Sequence, residues 1–343
     1  NEPTPNAKAL LLLSHYDSAV HSSSGAADAT SGVATILEAL RAFKASNPSF
    51  QNDIIIVFSD GEEIGLTGAQ LFANEHPWME EVGLVLNFES RGSGGPSNMI
   101  VETNHGNSNL ISLFSEAQGN HPLANSLMYS VYKLLPNDTD STIFREVADI
   151  PSFFFAFIDD HYDYHTALDI PERLDKKSLA HQGDYLMATL TEFSNSDLSD
   201  LTSEQDDVYF TIPDLGLIHY PFSWVWGMYT IALLGFLGLL FFGFKINSLN
   251  RREVFLGFVP WLSSLFISAL VTFFGWKLIL ILYPDYDSIL HGFTYNGHDY
   301  IVVFVALTLF ISFSIYQFFD DRLNPKNALV APIFSWFVLI FVL

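Results

Sequence analysis

Two glutamates, Glu62 and Glu63, are adjacent in the stretch VFSDGEEIGLTGA, directly behind the apolar run IIIVF. Like charges repel each other, so a pair of this kind is usually solvated at the surface, where it has no chemical role. A bound metal ion would offset the repulsion and make one carboxylate a ligand. Whether other metal-binding side chains converge on the pair decides between these two interpretations.

Metal-binding side chains follow three other apolar runs in the same way. His15 and Asp17 come after ALLLL, Glu89 comes after LVLNF, and SFFFAF is followed by His161 and His165. The chain contains no cysteine, and imidazole nitrogens and carboxylate oxygens are the ligands that zinc takes when thiolates are absent. The ends of the four runs therefore predict a metal site made of His, Asp and Glu.

Asp28 is a further candidate ligand in the stretch SSSGAADATSGVA. Its small neighbours allow the backbone and a metal ion to approach each other closely. The alternative is an acid at the start of a helix, where the helix dipole favours negative charge.

The composition excludes several other classes of protein. Residues 1–217 hold 9 Lys and Arg against 32 Asp and Glu, and the remaining residues hold 6 of each. Because nucleic-acid binding needs a basic surface, we expect no nucleic-acid partner. The acidity fits a solvated domain that attracts cations. The absence of cysteine excludes disulfides and a cysteine nucleophile.

The four apolar runs have the composition of buried parallel strands, and helical patterns separate them. This alternation predicts an α/β fold with a mostly parallel mixed sheet flanked by helices. In such sheets, ligands bind beyond the carboxyl ends of the strands. The candidate ligands follow the runs and thus lie at that end. The runs occupy residues 9–13, 54–58, 84–88 and 152–157.

Long apolar segments dominate the second part of the chain and predict an all-α transmembrane region at 222–343. We expect a globular domain at 1–198 and an acidic linker at 199–221. The chain begins at Asn1 and ends within an apolar run, so we expect that a longer protein continues beyond both ends. The alternative of buried soluble helices is disfavoured by the number of segments in series. The predicted spans are 222–244, 254–283, 300–319 and 328–343.

Charged residues in the short loops predict the orientation of the spans. The first loop holds Lys245, Arg251 and Arg252, the second holds no Lys or Arg, and the third holds Arg322 and Lys326. The first and third loops are then cytoplasmic, and the globular domain lies outside the cytoplasm with the second loop. A bacterial inner membrane facing the periplasm is favoured, while a vacuolar or endoplasmic reticulum membrane satisfies the same topology.

Five motifs and their order along the chain resemble those of the co-catalytic two-zinc aminopeptidases of the aminopeptidase/glutamate carboxypeptidase type. The resemblance covers roughly residues 15–193 and implies the fold of a zinc exopeptidase for the globular domain. With its membrane part, the chain resembles the branch that includes vacuolar membrane proteases and the endoplasmic reticulum metallopeptidase. The motifs are HYD, GAAD, the EE pair in DGEEIGLTGA, NFE and YHTALD.

The resemblance implies the roles of the metal ligands. His15 and Glu89 would bind one zinc ion, Glu63 and His165 would bind a second, and Asp28 would bridge the two. Two metals in such a site acidify a water molecule and polarise the scissile carbonyl.

The resemblance also implies roles for residues around the ligands. Glu62 would be the general base, and Asp17 would orient His15. Tyr164 resembles a tyrosine that steadies the oxyanion, although a simply packed aromatic is the alternative. Asp140, in DTDSTIF, is a candidate to support the site from behind the ligands. Arg91 could grip a substrate carboxylate or form a structural ion pair.

The resulting hypothesis is a membrane-anchored zinc metallopeptidase that hydrolyses peptide bonds, most simply an aminopeptidase. One alternative is an enzyme like glutaminyl cyclase, which shares the fold with a single zinc. A second alternative is a non-catalytic ectodomain on a transport or scaffolding membrane protein. The complete ligand set argues against the first alternative, and the intact Glu62 argues against the second.

Overall fold

Apolar strands form the centre of a mixed sheet in the first part of the chain. The structure is a computed structural model that describes residues 7–22, 24–117, 119, 121–135, 138–289 and 292–342. Over these ranges the chain divides into two compact units, Asn1–Trp224 and Val225–Leu343. The first unit is α/β and the second is helical.

The sheet of the first unit has five strands within the described ranges. In spatial order they are β2 (Ile54–Ser59), β1 (Ala9–His15), β3 (Val82–Ser90), β5 (Ser152–Phe157) and β4 (Asn98–Glu102). Neighbouring strands are parallel except for β4, which pairs antiparallel with β5. The predicted mostly parallel mixed sheet is confirmed. The four apolar runs are β1, β2, β3 and β5.

Helices cover both faces of the sheet, which explains why β1 is apolar from Ala9 to Leu13. Leu10 and Leu12 pack into a core on one face, and Leu11 and Leu13 pack into a second core on the other. Side chains alternate between the faces of a strand, so a strand covered on both sides must be apolar throughout. The helices of this unit are α1 (Thr30–Ala45), α2 (Thr67–Glu75), α3 (Ser108–Glu116), α4 (Ser126–Leu134), α5 (Asp140–Ala148) and α6 (Lys176–Phe193).

The start of α1 packs closely against the ends of β1 and β3. A Cβ atom at Gly32, in the first turn of α1, would overlap the Phe88 carbonyl oxygen and Ser14 Oγ. Ser14 Oγ donates to the carbonyl oxygens of Phe88 (3.0 Å) and Ala29 (3.1 Å). The small residue at position 32 therefore lets the loop before α1 approach the carboxyl edge of the sheet.

An antiparallel hairpin, β6 (Asp207–Ile212) and β7 (Gly216–Pro221), lies within the residues that the sequence predicts as an acidic linker. Tyr209 of β6 is 1% exposed and belongs to the core of the first unit. The segment is thus ordered as a hairpin. The predicted bounds of the domains themselves stay a prediction.

The second unit consists of helices whose surfaces are largely apolar. In the part of the chain that the structure describes, four helical segments are long and apolar enough to cross a membrane: Ser223–Lys245, Arg251–Leu282, Gly297–Asp320 and Pro325–Val342. The predicted helical region with membrane-spanning capacity is confirmed. Its helices are α7 (Ser223–Lys245), α8 (Arg251–Leu256), α9 (Phe258–Leu282), α10 (Gly297–Asp320), α11 (Pro325–Ala328) and α12 (Val330–Val342).

Candidate metal centre

The five predicted ligands lie together at the carboxyl edge of the sheet. His15 is the last residue of β1, and Glu89 is the second-last residue of β3. Glu63 lies in the loop behind β2, His165 lies in the loop behind β5, and Asp28 lies two residues before α1. Because these strands run parallel, their ends meet at one edge and bring distant residues into one cluster.

Asp28 connects two groups of side chains. Its Oδ1 lies 3.4 Å from His15 Nε2, and its Oδ2 lies 3.0 Å from His165 Nε2. His15 Nε2 also lies 3.2 Å from Glu89 Oε2, and His165 Nε2 lies 3.1 Å from Glu63 Oε2. The arrangement consists of two trios that share Asp28.

The donor atoms in these trios fit zinc. Zinc binds nitrogen and oxygen ligands at about 2.0–2.2 Å, so the edge of its coordination tetrahedron is roughly 3.3 Å. The N···O separations of 3.0–3.4 Å within the trios match that edge. Glu63 Oε1 is buried without a hydrogen-bond partner among the described residues. A buried polar atom without a partner lowers the stability of the protein unless a ligand binds it.

The charges of the cluster raise the pKa values of both histidines. Burial alone would lower the pKa of His15, but the charge of Glu89 and hydrogen bonds with the surrounding carboxylates raise it far above its usual range. Burial also acts to lower the pKa of His165, while Asp28 and Glu63 raise it to about 9. The cluster therefore strongly favours positive charge between its carboxylates.

Glu62 lies beside the trio of His15, Asp28 and Glu89. One of its carboxylate oxygens is within 4.8 Å of ligand atoms of His15 and Glu89. Burial and, next, the negative charge of Glu89 raise the pKa of Glu62 to about 9. A cation held by the neighbouring carboxylates would offset this repulsion and return the Glu62 carboxylate to its charged, proton-accepting form.

Asp17 holds the peptide segment of the adjacent glutamates. Its Oδ1 accepts a hydrogen bond from the Glu62 N–H (3.2 Å), and its Oδ2 accepts one from the Glu63 N–H (3.3 Å). His15 Nδ1 lies 2.9 Å from the carbonyl oxygen of Asp17 and 3.5 Å from its carboxylate. Asp17 thus contacts His15 mainly through its backbone, while its side chain fixes the two glutamates.

Thr139 and Asn87 hold the second oxygen of Glu89. Thr139 Oγ1 donates to Glu89 Oε1 (2.9 Å) and lies 2.8 Å from Asn87 Nδ2, which donates to it. These contacts leave Glu89 Oε2 directed at His15. The sequence singles out Asn87 only as a letter of the NFE motif, and it gives no signal for Thr139.

Asp169 holds the loop that carries Asp28. Its carboxylate accepts hydrogen bonds from the N–H groups of Ala27 (2.7 Å) and Asp28 (3.2 Å). The Asp28–Ala29 peptide bond is cis. His165 has a left-handed backbone, with φ at 54°, a conformation that non-glycine residues mostly adopt at turns and functional sites. The closing D of the YHTALD motif is the only sequence signal for Asp169.

Aromatic stacking surrounds His165. The Tyr164 ring stacks on the His165 ring at 3.8 Å between centroids, and the His161 ring lies 5.5 Å from Tyr164. Arg91 Cζ lies 5.5 Å from the centroid of the Tyr164 ring. His161 Nδ1 is hydrogen-bonded to the carbonyl oxygen of Arg91. A cavity opens above the predicted ligands, and we call it the metal cavity. Tyr164 and Arg91 line it, whereas His161 does not.

Asp140 is fully buried at the start of α5. Its Oδ2 accepts a hydrogen bond from Ser59 Oγ at the end of β2. Burial first, with the charge of Glu89, raises the pKa of Asp140 to about 6. The residue therefore ties α5 to the strand that precedes Glu62 and Glu63, and it does not line the metal cavity.

The metal cavity above the cluster has a volume of about 500 Å³. Asp28, Glu62, Glu63, Glu89 and His165 line it together with Arg91 and Tyr164. Four of the five predicted ligands, the candidate base and Tyr164 therefore line one volume that can admit part of a peptide.

Comparison with known families gives the class of the protein. The model of peptidase family M28 matches residues 1–190. The chain belongs to peptidase family M28. Peptidases of this family depend on zinc, and the four apolar helices make this M28 peptidase a membrane-associated one.

Curated relatives of this M28 peptidase are also membrane proteases or metallopeptidases by name. Endoplasmic reticulum metallopeptidase 1 of Mus musculus is 30% identical over 287 residues, which cover 80% of this chain and 32% of the relative. The vacuolar membrane protease of Candida dubliniensis is 34% identical over 203 residues, which cover 59% of this chain and 21% of the relative. The chain thus spans a third or less of the length of these relatives.

Solved structures with a similar fold include two aminopeptidases. The LapA aminopeptidase of Legionella pneumophila is 22% identical, with a TM-score of 0.41, and the match covers 56% of this chain and 52% of LapA. The aminopeptidase from Aneurinibacillus sp. strain AM-1 is 18% identical, with a TM-score of 0.43, and the match covers 55% of this chain and 45% of that chain.

Proposed function

We propose that the protein is a membrane-anchored aminopeptidase that uses two zinc ions and removes residues from peptides outside the cytoplasm. The observation that carries the proposal is the position of Asp28, whose two carboxylate oxygens face two different histidines. A site for one zinc ion takes three or four protein ligands and would not need all five. Two trios with a shared carboxylate suit two ions.

The ligands divide between the two trios. His15, Asp28 and Glu89 would hold one zinc ion, and Asp28, Glu63 and His165 would hold the other. Bound zinc would polarise the scissile carbonyl and make water more acidic.

Glu62 performs the proton transfers in this proposal. Its carboxylate accepts a proton from the attacking water, and the water oxygen forms a bond to the scissile carbonyl carbon. Glu62 then gives the proton to the leaving nitrogen as the C–N bond breaks. The products are a free amino acid and a shortened peptide, and the base is restored.

Tyr164 stabilises the charge that develops on the carbonyl oxygen. Its ring is held between His165 and His161 by stacking. Burial, with the charge of Asp28, raises the pKa of its hydroxyl group well above the usual range. The hydroxyl group is therefore protonated at neutral pH and can donate a hydrogen bond to an oxyanion.

The charged loops support an extracytoplasmic site. Lys245, Arg251 and Arg252 lie at one end of the first two apolar helices, Arg322 lies between the last two, and Lys326 lies at the start of the last. Basic loops remain in the cytoplasm, which leaves the peptidase unit on the opposite side.

The test combines zinc analysis of the purified full chain with hydrolysis of a panel of aminoacyl fluorogenic substrates. We expect about two zinc ions per chain. Glu62→Gln should retain the zinc and lose roughly 10²–10⁴-fold in rate, because only the proton transfer is removed. Glu75→Gln, a glutamate exposed on α2, serves as the matched control and should retain the rate.

Other results would identify the alternatives. Zinc binding without hydrolysis of any peptide would indicate a non-catalytic ectodomain. One zinc ion per chain with cyclisation of an N-terminal glutamine would indicate a glutaminyl cyclase. Undiminished hydrolysis in Glu62→Gln would remove the assignment of the base.

A further inference from the structure

A second cavity adjoins the metal cavity and has a different chemistry. Its volume is about 570 Å³, and it shares Arg91 and Phe154 with the metal cavity. We call it the side chamber. Its lining is mostly apolar and includes Ile100, Met128, Val131, Phe154, Ala156 and Ile158.

The strands of the sheet form a firm apolar floor of the side chamber. Ile100, Phe154 and Ala156 are each no more than 4% exposed and pack together in a small cluster. Helix α4 supplies the other wall, and none of its residues is buried. Val131 of α4 remains 47% exposed although it is apolar. The side chamber therefore offers apolar surface that an apolar ligand group would remove from water.

Arg91 stands where the two cavities meet. It is the one arginine or lysine among the described residues that line either cavity. Its guanidinium lies over the Tyr164 ring, and that ring lies against the metal ligand His165. A guanidinium presents a planar pair of N–H donors that matches a carboxylate. A carboxylate that enters between the cavities would meet this group.

We propose that Arg91 and the side chamber bind the C-terminal residue of a short peptide. Arg91 holds the free carboxylate, and the side chamber holds a large apolar side chain. The inference rests on the proposed peptidase function and specifies its substrates as dipeptides and other very short peptides with an apolar last residue.

The distances suit a substrate of this length. The stacked rings bring the Arg91 guanidinium within about 9 Å of the His165 ring, and an extended peptide advances roughly 3.3–3.6 Å per residue. One residue beyond the scissile bond, with its carboxylate, spans most of that interval. A longer peptide would place an uncharged amide at Arg91 and lose the charged contact.

The test measures binding separately from hydrolysis. The zinc-loaded full chain with Glu62→Gln is titrated calorimetrically with the dipeptide Leu-Phe and with its C-terminal amide. We expect the acid to bind roughly 10–100-fold more tightly, because the amide cannot form the charged pair. Arg91→Met in the same background should abolish this difference, and Arg91→Lys should retain part of it. Arg41→Met, at an exposed arginine on α1, is the matched control and should retain the full difference.

The side chamber has its own pair of variants on α4. Val131→Asp places a charge in its lining and should weaken the binding of Leu-Phe at least 10-fold, while the binding of Leu-Gly changes little. Leu134→Asp adds the same charge to the same helix at a residue that is 85% exposed and does not line the side chamber. It should leave both affinities unchanged. Equal thermal midpoints would show that both variants fold.

The outcomes separate this inference from the proposed function. Equal affinity for the acid and the amide, or no binding of either peptide, overturns the inference. An acid preference that survives Arg91→Met overturns it as well. If the unmodified protein hydrolyses peptides but does not distinguish the acid from the amide, the function stands and the inference fails. If the acid preference depends on Arg91 but no peptide is hydrolysed, the site assignment stands and the function fails.

Discussion

Thr139 is positioned to set the direction of the carboxylate of Glu89, a predicted metal ligand. Its hydroxyl group donates a hydrogen bond to Glu89 Oε1 and accepts one from Asn87 Nδ2. Glu89 Oε2 is thereby directed at His15. Partners of this kind typically contribute 10–100-fold to metal affinity.

We therefore expect Thr139→Val to weaken zinc binding roughly 10–100-fold, because Glu89 loses the hydrogen bond that orients it. Competition with a chelator of known affinity measures the change. Thr139→Ser keeps the hydroxyl group and should restore most of the affinity. Thr191→Val removes an exposed hydroxyl group on α6 that donates to Met187 O (2.7 Å) and should have no effect. Equal zinc affinity in Thr139→Val and the unmodified chain would contradict the orienting role.

Four of the five candidate ligands were predictable because each one follows an apolar run, and Asp28 was indicated by its small neighbours in SSSGAADATSGVA. The residues that hold these ligands in place were not predictable. Thr139 lies 50 residues from Glu89, and Asp169 lies 142 residues from Ala27, so no local spacing records these contacts. The resemblance implies that Asp17 orients His15, and the structure adds that the Asp17 side chain also accepts hydrogen bonds from two backbone N–H groups.

The packing of α1 against the sheet determines how close Asp28 comes to the other ligands. Gly32 allows this approach, because any side chain at that position would overlap Phe88 O and Ser14 Oγ. Phe88 O is a backbone atom of β3, which cannot yield as a flexible side chain can. A displaced α1 would carry the Asp28 loop away from the strand ends.

Two glycine substitutions in helices test this contact. Gly32→Ala should destabilise the protein by about 1–3 kcal/mol through overpacking, and it should weaken zinc binding as α1 moves. Gly183→Ala lies within α6, where an added Cβ meets nothing within 4 Å, and it should stabilise the protein by about 0.5–1 kcal/mol. The thermal midpoints of both variants in detergent measure the difference. A Gly32→Ala protein as stable as Gly183→Ala would refute the close packing.

Elements with strong local signals were predictable, and those that depend on distant partners were not. The strands β1, β3 and β5 are nearly continuous apolar runs, since both of their faces are covered, and β2 at the edge of the sheet is an apolar run as well. Strand β4 (Asn98–Glu102) is short, and its place in the sheet depends on antiparallel pairing with β5, which is distant in the sequence. The hairpin of β6 and β7 falls in an acidic, serine-containing stretch, and the burial of Tyr209 against the first unit is what orders it.

The division of charge along the whole chain supports a sided membrane protein. The excess of acidic residues is confined to residues 1–217, and five of the six basic residues of the apolar part lie in or next to two of its loops; the sixth, Lys277, lies near the end of α9. The chain has no cysteine. Single cysteines can therefore report which side of the membrane each segment faces, without any background to remove.

Three serine-to-cysteine substitutions test the orientation. Ser199 lies behind α6, Ser248 lies between α7 and α8, and Ser288 lies between α9 and α10; all three are exposed. In intact cells or right-side-out vesicles, a membrane-impermeant maleimide should label Ser199→Cys and Ser288→Cys. It should label Ser248→Cys only after the membrane is opened, because basic loops stay in the cytoplasm. The reverse pattern would invert the proposed topology.

The scatter of the ligands along the chain has a consequence for biosynthesis. The trio of His15, Asp28 and Glu89 lies within residues 15–89, whereas the other trio waits for His165 to leave the ribosome and for β5 to join the sheet. The two zinc ions would accordingly be captured in sequence. In the proposed two-zinc site, the ligand set would therefore be complete only after β5 has joined the sheet.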